Sequence, residues 1–140
     1  MPPPNMLIFD ASSRAECRIR RQRSNTPLQA LVLLNDPQIL EGCRVLAENA
    51  WINSGGNHAH AINFLFRSLT SRYPNENELK ILNAQFNEEL RYFKSNPEDA
   101  SNFLSIGYYK TNKMLSQANL AAMSRIANTI LNTTESYYKN

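Results

Sequence analysis

The sequence predicts an all-α fold, an irregular antiparallel bundle of five to six helices preceded by an extended N-terminal arm. Apolar residues after Pro37 recur at three- and four-residue spacing, and no segment there alternates with the two-residue period of a strand. Short Asn, Pro and Gly turns separate the segments. We therefore divide the chain into an extended basic arm, residues 1–25, and a helical domain, residues 26–140.

The arm begins with three consecutive prolines. Pro2 to Pro4 favour an extended polyproline conformation, and the apolar run from Met6 to Phe9 that follows is interpreted as an arm or edge strand. Such a segment has no pairing partner of its own. We expect it to dock on the helical domain or on residues upstream of this chain.

Helix-start signals set the order of the helices. Thr26 and Gln29 form a capping-box pattern around Pro27, and Asp36 caps a second helix at Pro37. The second helix runs to about Ile52, with Cys43 on its apolar face and the ion-pairing residues Glu41, Arg44 and Glu48 on the other. Further helices are expected over 59–71, from the Asn75 and Glu78 capping box through Phe93, over 97–106 and over 117–132.

The charge distribution is uneven. Apolar residues make up 42% of the 140-residue chain and charged residues 19%, which is typical of a folded domain. The excess of basic residues, 15 against 12 acidic ones, comes from one arginine cluster: Arg14, Arg18, Arg20, Arg21 and Arg23. Because the charge is confined to one short segment, the basic pI is weak evidence for a nucleic-acid partner.

Several common site types have no pattern in the sequence. His58 and His60 are two residues apart, which separates them on a helix surface, and neither cysteine lies in a C-x-x-C frame. The chain has four glycines, too few to predict a glycine-rich phosphate-binding loop. No apolar run approaches the ~18 residues that a membrane span needs. The sequence therefore predicts no metal site, cofactor or membrane span in this chain.

The run from Phe9 to Pro37, FDASSRAECRIRRQRSNTPLQALVLLNDP, resembles the C-terminal domain of unknown function of large planctomycete-type cytochrome c proteins, the PSD1 (DUF1553) type. Its motif residues include Asp10, Cys17, Asn25, Thr26, Pro27, Gln29, Asn35 and Asp36. Phe66 to Thr70, followed by Arg72, Pro74 and Glu78, resembles a second segment of this family, in which Ser71 stands where glycine is usual. The closing helix near Ala121 to Asn132 is also similar, so the resemblance covers nearly the whole chain.

The resemblance implies a context for the chain. It is similar to the C-terminal part of a longer domain in exported, multidomain bacterial proteins that often carry a haem-binding module elsewhere and occur in polysaccharide-utilisation contexts. The implied location is periplasmic or otherwise exported, and the implied partners are upstream domains of the same polypeptide. The family has no settled activity, so the resemblance identifies no catalytic residue.

The residues leave several site hypotheses open. The arginine cluster offers bidentate donors to a phosphate, sulfate or carboxylate, or it pairs with acidic groups upstream. Asp10 and Arg14 are either a catalytic acid with its partner or a local salt bridge. Cys17 is a reactive thiol, a disulfide partner or a buried residue. The pairs Tyr108-Tyr109 and Tyr137-Tyr138 contact a sugar or a partner protein, or cover the ends of the core.

The leading hypothesis is a helical scaffold that contacts other domains of an exported, cytochrome-associated protein and is not catalytic as an isolated chain. The alternative is part of an enzyme or binding site for a carbohydrate or sulfated ligand, with Arg14, Arg20 and Arg21 anchoring an anionic group. A nucleic-acid-binding module is the third class. The absence of aromatic residues between the arginines argues against it.

Overall fold

The computed structural model describes residues 4–11, 24, 26–112 and 114–137. Within these ranges all regular secondary structure is α-helical, which confirms the all-α prediction. Six longer helices match the predicted five to six, and two short helices flank them. The helices are α1 Pro4–Ile8, α2 Pro27–Asn35, α3 Pro37–Asn53, α4 His58–Thr70, α5 Glu76–Ser95, α6 Pro97–Leu104, α7 Gln117–Leu131 and α8 Thr134–Tyr137.

Helix α7 is the centre of the core. It packs against α2, α3, α4, α5, α6 and α8, and most of its side chains are buried. Ala121, Ala122 and Ala127 are fully buried along it, and such small residues let neighbouring helices approach closely. Asn128 is buried as well, and its Nδ2 atom donates a hydrogen bond to the Leu33 carbonyl of α2 at 3.0 Å. The core is therefore organised around a helix that lies late in the sequence.

The predicted caps are confirmed. Thr26 and Gln29 form a reciprocal capping box at α2, and Asn75 and Glu78 form another at α5. Asp36 Oδ1 accepts hydrogen bonds from the first amides of α3, at Gln38 and Ile39. These contacts satisfy amide groups that have no partner within their own helix. Because the capping residues are of characteristic types at fixed spacing, they indicated the helix starts from the sequence.

The prediction of an extended N-terminal arm is wrong for residues 4–8, because these residues form α1. Pro4 is compatible with the first turn of a helix, where no backbone N–H is required. Helix α1 contacts α2, and the Ile8 carbonyl accepts a hydrogen bond from Gln29 Nε2 at 2.8 Å. A tertiary contact with α2 thus holds a conformation that the local sequence did not indicate.

Part of the arm lies outside the described residues. This part contains Cys17, Asn25 and the whole arginine cluster, namely Arg14, Arg18, Arg20, Arg21 and Arg23. The hypotheses attached to these residues stay predictions. For the described ranges we also find that no helix combines the length and the apolar character required to cross a bilayer.

Candidate functional site

Three family-motif residues belong to one hydrogen-bond network around Gln29. Asp10 Oδ2 accepts hydrogen bonds from the backbone N–H and the hydroxyl of Ser24, both at 2.7 Å. Gln29 Nε2 donates to the Ser24 hydroxyl at 3.0 Å and to the Ile8 carbonyl, while Gln29 Oε1 accepts from the Thr26 amide at 3.1 Å. The network joins the segment after α1 to the start of α2 across a chain separation of 14 residues.

The geometry of Asp10 fits a structural role. Hydrogen bonds from the Ser24 hydroxyl and backbone lower the pKa of its carboxyl, so the group stays ionised and is held by donors. Its φ of 58° is in the left-handed region, which Asp tolerates better than most residues. The salt-bridge alternative with Arg14 stays a prediction because Arg14 is outside the described residues. Asn35 donates to the Leu31 carbonyl of its own helix.

Helix α2 is apolar on both faces. Gln29 and Leu33 face the interior, while Leu28, Leu31 and Leu34 project from the opposite side and are 52%, 55% and 41% exposed. Three more exposed apolar side chains, Met6, Leu7 and Phe9, lie in or next to α1, which contacts α2. These six residues are named the N-terminal apolar surface. A groove of about 340 Å³ adjoins it, lined in part by Met6, Phe9, Val32 and Ile39.

A second candidate region is the loop 107–112, which charged residues of α3 hold against the domain. The Glu41 carboxylate accepts hydrogen bonds from the amides of Tyr108, at 2.9 Å, and Tyr109. The Arg44 guanidinium donates to the Thr111 hydroxyl at 2.8 Å and to the Tyr109 carbonyl at 2.6 Å. We call this segment the clamped loop.

Glu41, Arg44 and Glu48 were predicted to form ion pairs on the polar face of α3. In the structure, the clamped loop packs on this face. Arg44 is 1% exposed and Glu48 is 8% exposed, because the clamped loop covers them. Glu48 Oε2 accepts from the Asn112 amide at 3.3 Å, and the Arg44 to Glu41 distance is 3.9 Å. The spacing of these residues correctly placed them on one face, but the sequence contained no signal that a loop 64 to 68 residues away packs on that face.

The two tyrosines of the clamped loop point into solvent. Tyr108 is fully exposed and Tyr109 is 57% exposed, so the expectation that this pair covers the end of the core is wrong for Tyr108. A pocket of about 370 Å³ is lined by both tyrosines together with residues of α6 and α7. The side chains of the other predicted pair, Tyr137 and Tyr138, are outside the described residues.

The second family segment forms an ion-pair cluster. Arg72 makes bidentate contacts with Glu78, at 2.9 and 2.7 Å, and with Glu135, at 2.6 and 2.7 Å. The contact with Arg72 is the main cause that lowers the pKa of Glu78 to about 2, and the Arg72 pKa is raised in turn. Arg72 follows Ser71, which ends α4 with a φ of 63°. The cluster connects the end of α4 to α5 and α8, and its Glu135 member was not foreseen.

The remaining candidates among the described residues are one cysteine and two histidines. Cys43 is buried in the core as predicted, and burial raises the pKa of its thiol to about 11. His58 and His60 are exposed, and the His58 ring stacks on Phe86 with 5.3 Å between centroids. No group of three or more His, Cys, Asp or Glu side chains that could hold a metal occurs in the described part of the chain.

Comparison with known proteins places the sequence in a family. The sequence model of PSD1, described as a protein of unknown function (DUF1553), matches residues 1–86, from the N-terminus to the middle of α5. The central helix α7 lies after the matched range. No curated protein and no solved structure matches the chain. Because the match spans more than half of the 140 residues, the chain belongs to the PSD1 family of proteins of unknown function (DUF1553).

Proposed function

We propose that the chain is a helical scaffold that makes interdomain contacts within an exported, cytochrome-associated, multidomain bacterial protein. The observation that supports this proposal is the N-terminal apolar surface, whose six large apolar side chains are 41–57% exposed. The proposed contact partner is an upstream domain of the same polypeptide. The exported, haem-associated context is taken from the family resemblance described above.

The argument rests on the sequence and environment of α2. Seven of its nine residues, PLQALVLLN, are apolar and none is charged, and a helix with apolar side chains on both faces is normally buried on both. Gln29 and Leu33 are the buried residues of α2, whereas Leu28, Leu31 and Leu34 are exposed. Single exposed apolar residues are common on proteins, whereas a cluster on two contacting helices indicates an interaction surface. A partner is therefore expected to cover the face with Leu31 at its centre.

The Gln29 network positions this surface. By tying Asp10 to Ser24 and the Ile8 carbonyl to α2, it fixes α1 beside α2 through side chains that are part of the family motif. A pre-organised surface loses less conformational entropy on binding than a mobile one. The motif is thus interpreted as the structural support of an interdomain contact, with no catalytic role required.

The test is a binding titration between this chain and the rest of the polypeptide encoded by its open reading frame, measured by isothermal titration calorimetry. Leu31→Glu places a charge between Leu28 and Leu34 on the exposed face of α2 and is expected to weaken binding by about a hundredfold or more. Ile81→Glu is the matched control, because Ile81 is 66% exposed on α5. Equal binding by both variants, or an open reading frame that encodes no further domain, would contradict the proposal.

The second candidate function is a binding site for a carbohydrate or sulfated ligand at the arginine cluster. Five arginines within residues 14–23 are the sequence observation that favours it. Saturable binding of a heparin hexasaccharide that is lost in Arg20→Ala would support this candidate. If duplex DNA binds instead, with a steep salt dependence, the nucleic-acid hypothesis gains support. Binding of neither would contradict both a sulfated-ligand site and a nucleic-acid site at the arginine cluster.

A further inference from the structure

The clamped loop uses charged residues of α3 to fix backbone groups. Glu41 accepts from two consecutive loop amides, and Arg44 donates to a loop carbonyl and a hydroxyl. Removing Arg44 from water has a desolvation cost of several kcal/mol, which these hydrogen bonds must offset. A connection that only joined α6 to α7 would not need such support. The arrangement instead gives the loop one defined backbone conformation.

That conformation holds aromatic rings in solvent. Tyr108 is fully exposed and Tyr109 is 57% exposed, so the Tyr108 ring in particular makes no contribution to the core. The backbone amides of both residues donate hydrogen bonds to the same Glu41 carboxylate. These bonds fix the backbone from which the two side chains extend. A tyrosine on a fixed backbone has only two side-chain torsions to order, so it offers a large contact area at low entropic cost.

The surroundings of the rings indicate the ligand chemistry. The adjoining pocket, about 370 Å³, falls within the size range of small-molecule sites and is lined by both tyrosines, Ser101, Lys110 and Gln117, among others. These side chains supply hydroxyl, ammonium and amide groups, and no carboxylate lines the pocket among the described residues. An aromatic face beside hydroxyl, amide and ammonium groups that can hydrogen-bond hydroxyls suits a ligand with one apolar face and a rim of hydroxyls.

We propose that the clamped loop forms a binding site for a neutral oligosaccharide, with Tyr108 as the stacking surface and Ser101, Lys110 and Gln117 as hydrogen-bonding groups. A protein partner fits less well, because a stable protein interface needs roughly 800 Å² on each side and this feature is a small, open pocket of about 370 Å³. The site lies on the connection between α6 and α7 and includes no residue of the N-terminal apolar surface. It therefore does not rest on the interdomain proposal.

The experiment uses the full 140-residue chain and five neutral hexasaccharides: maltohexaose, cellohexaose, xylohexaose, laminarihexaose and mannohexaose. Binding is followed by two-dimensional NMR at millimolar ligand, with the amide signals of Tyr108 and Tyr109 as reporters. At least one hexasaccharide is expected to shift these signals in a saturable way. Tyr108→Ala is expected to weaken that binding about tenfold or more, and Tyr108→Phe, which keeps the ring, should weaken it much less.

The controls separate loss of the site from loss of the fold. Because Tyr108 is fully exposed, the thermal midpoint of Tyr108→Ala should equal that of the parent chain. Tyr73→Ala removes an exposed tyrosine elsewhere, 62% exposed, and should leave saccharide binding unchanged. The proposal is overturned if none of the five saccharides binds, if Tyr108→Ala binds as tightly as the parent chain, or if binding depends on Arg20 in place of Tyr108.

Discussion

Gly107→Ala is the substitution that most directly perturbs the clamped loop. Gly107 has a φ of 92°, a backbone conformation that residues with a Cβ rarely adopt. A Cβ added there would lie 2.8 Å from the Cβ of Glu41 and 2.5 Å from its Oε2 atom, closer than atoms in contact can approach. Either the loop or the Glu41 side chain must therefore move.

The magnitude follows from these two effects. The left-handed conformation costs a residue with a Cβ about 1–2 kcal/mol. Displacing Glu41 weakens two amide hydrogen bonds to a charged acceptor, which are worth about 1.5–3 kcal/mol each when fully formed. Glu41 is 21% exposed, so water replaces part of what is lost. We expect a loss of about 2–4 kcal/mol in the free energy of unfolding.

Gly42→Ala is the matched control for this prediction. Gly42 lies within α3, next to Glu41 in sequence, and a Cβ added there meets nothing within 4 Å. Alanine is preferred over glycine inside a helix, so this change should raise the free energy of unfolding by about 0.5–1 kcal/mol. Urea unfolding followed by circular dichroism measures both. A Gly107→Ala protein within about 0.5 kcal/mol of the parent chain would refute the clamp as described.

Three further predictions concern other parts of the fold. Ser71→Gly relieves a left-handed φ of 63° at the end of α4 and should stabilise the protein by about 0.5–1 kcal/mol in the same urea assay. Because contact with Arg72 lowers the pKa of Glu78 to about 2, the pair stabilises the fold above pH 4.5, and this contribution is lost as the pH falls toward 2. The difference in free energy of unfolding between the parent chain and Arg72→Ala should therefore decrease over that pH range. A constant difference would contradict the stabilising role of the Arg72–Glu78 pair. Cys43, with its thiol pKa raised to about 11, should resist iodoacetamide at pH 8 until the chain is unfolded, as read by peptide mass mapping.

The helix boundaries were predictable because their causes are local. The capping boxes at Thr26 and Asn75 and the cap at Asp36 each involve residues no more than three positions apart, and all three are present in the structure. The central position of α7 was not predictable in the same way. Its apolar, alanine-rich face indicates burial, but the sequence pattern does not show which helices surround it.

The candidate sites depended on longer-range contacts. Arg72 meets Glu135 across 63 residues, and Arg44 meets Thr111 across 67, so neither pairing has a local signature. The family-motif residues Asp10, Thr26 and Gln29 share a hydrogen-bond network in the structure, and its link from Asp10 to Ser24 spans 14 residues, so it has no local signature either. Exposure of Tyr108 was one of the alternatives that the sequence left open, and the clamp on its backbone could not be inferred.

The central claim is that the N-terminal apolar surface is covered by another domain of the same polypeptide. Hydroxyl-radical footprinting with mass spectrometry tests it most directly, on this chain alone and within the product of the full open reading frame. The account predicts that Met6, Leu28 and Leu31 are modified in the isolated chain and protected in the full-length protein, while Ile81, which is 66% exposed, is modified in both. Equal modification of Leu31 in the two proteins would contradict the account.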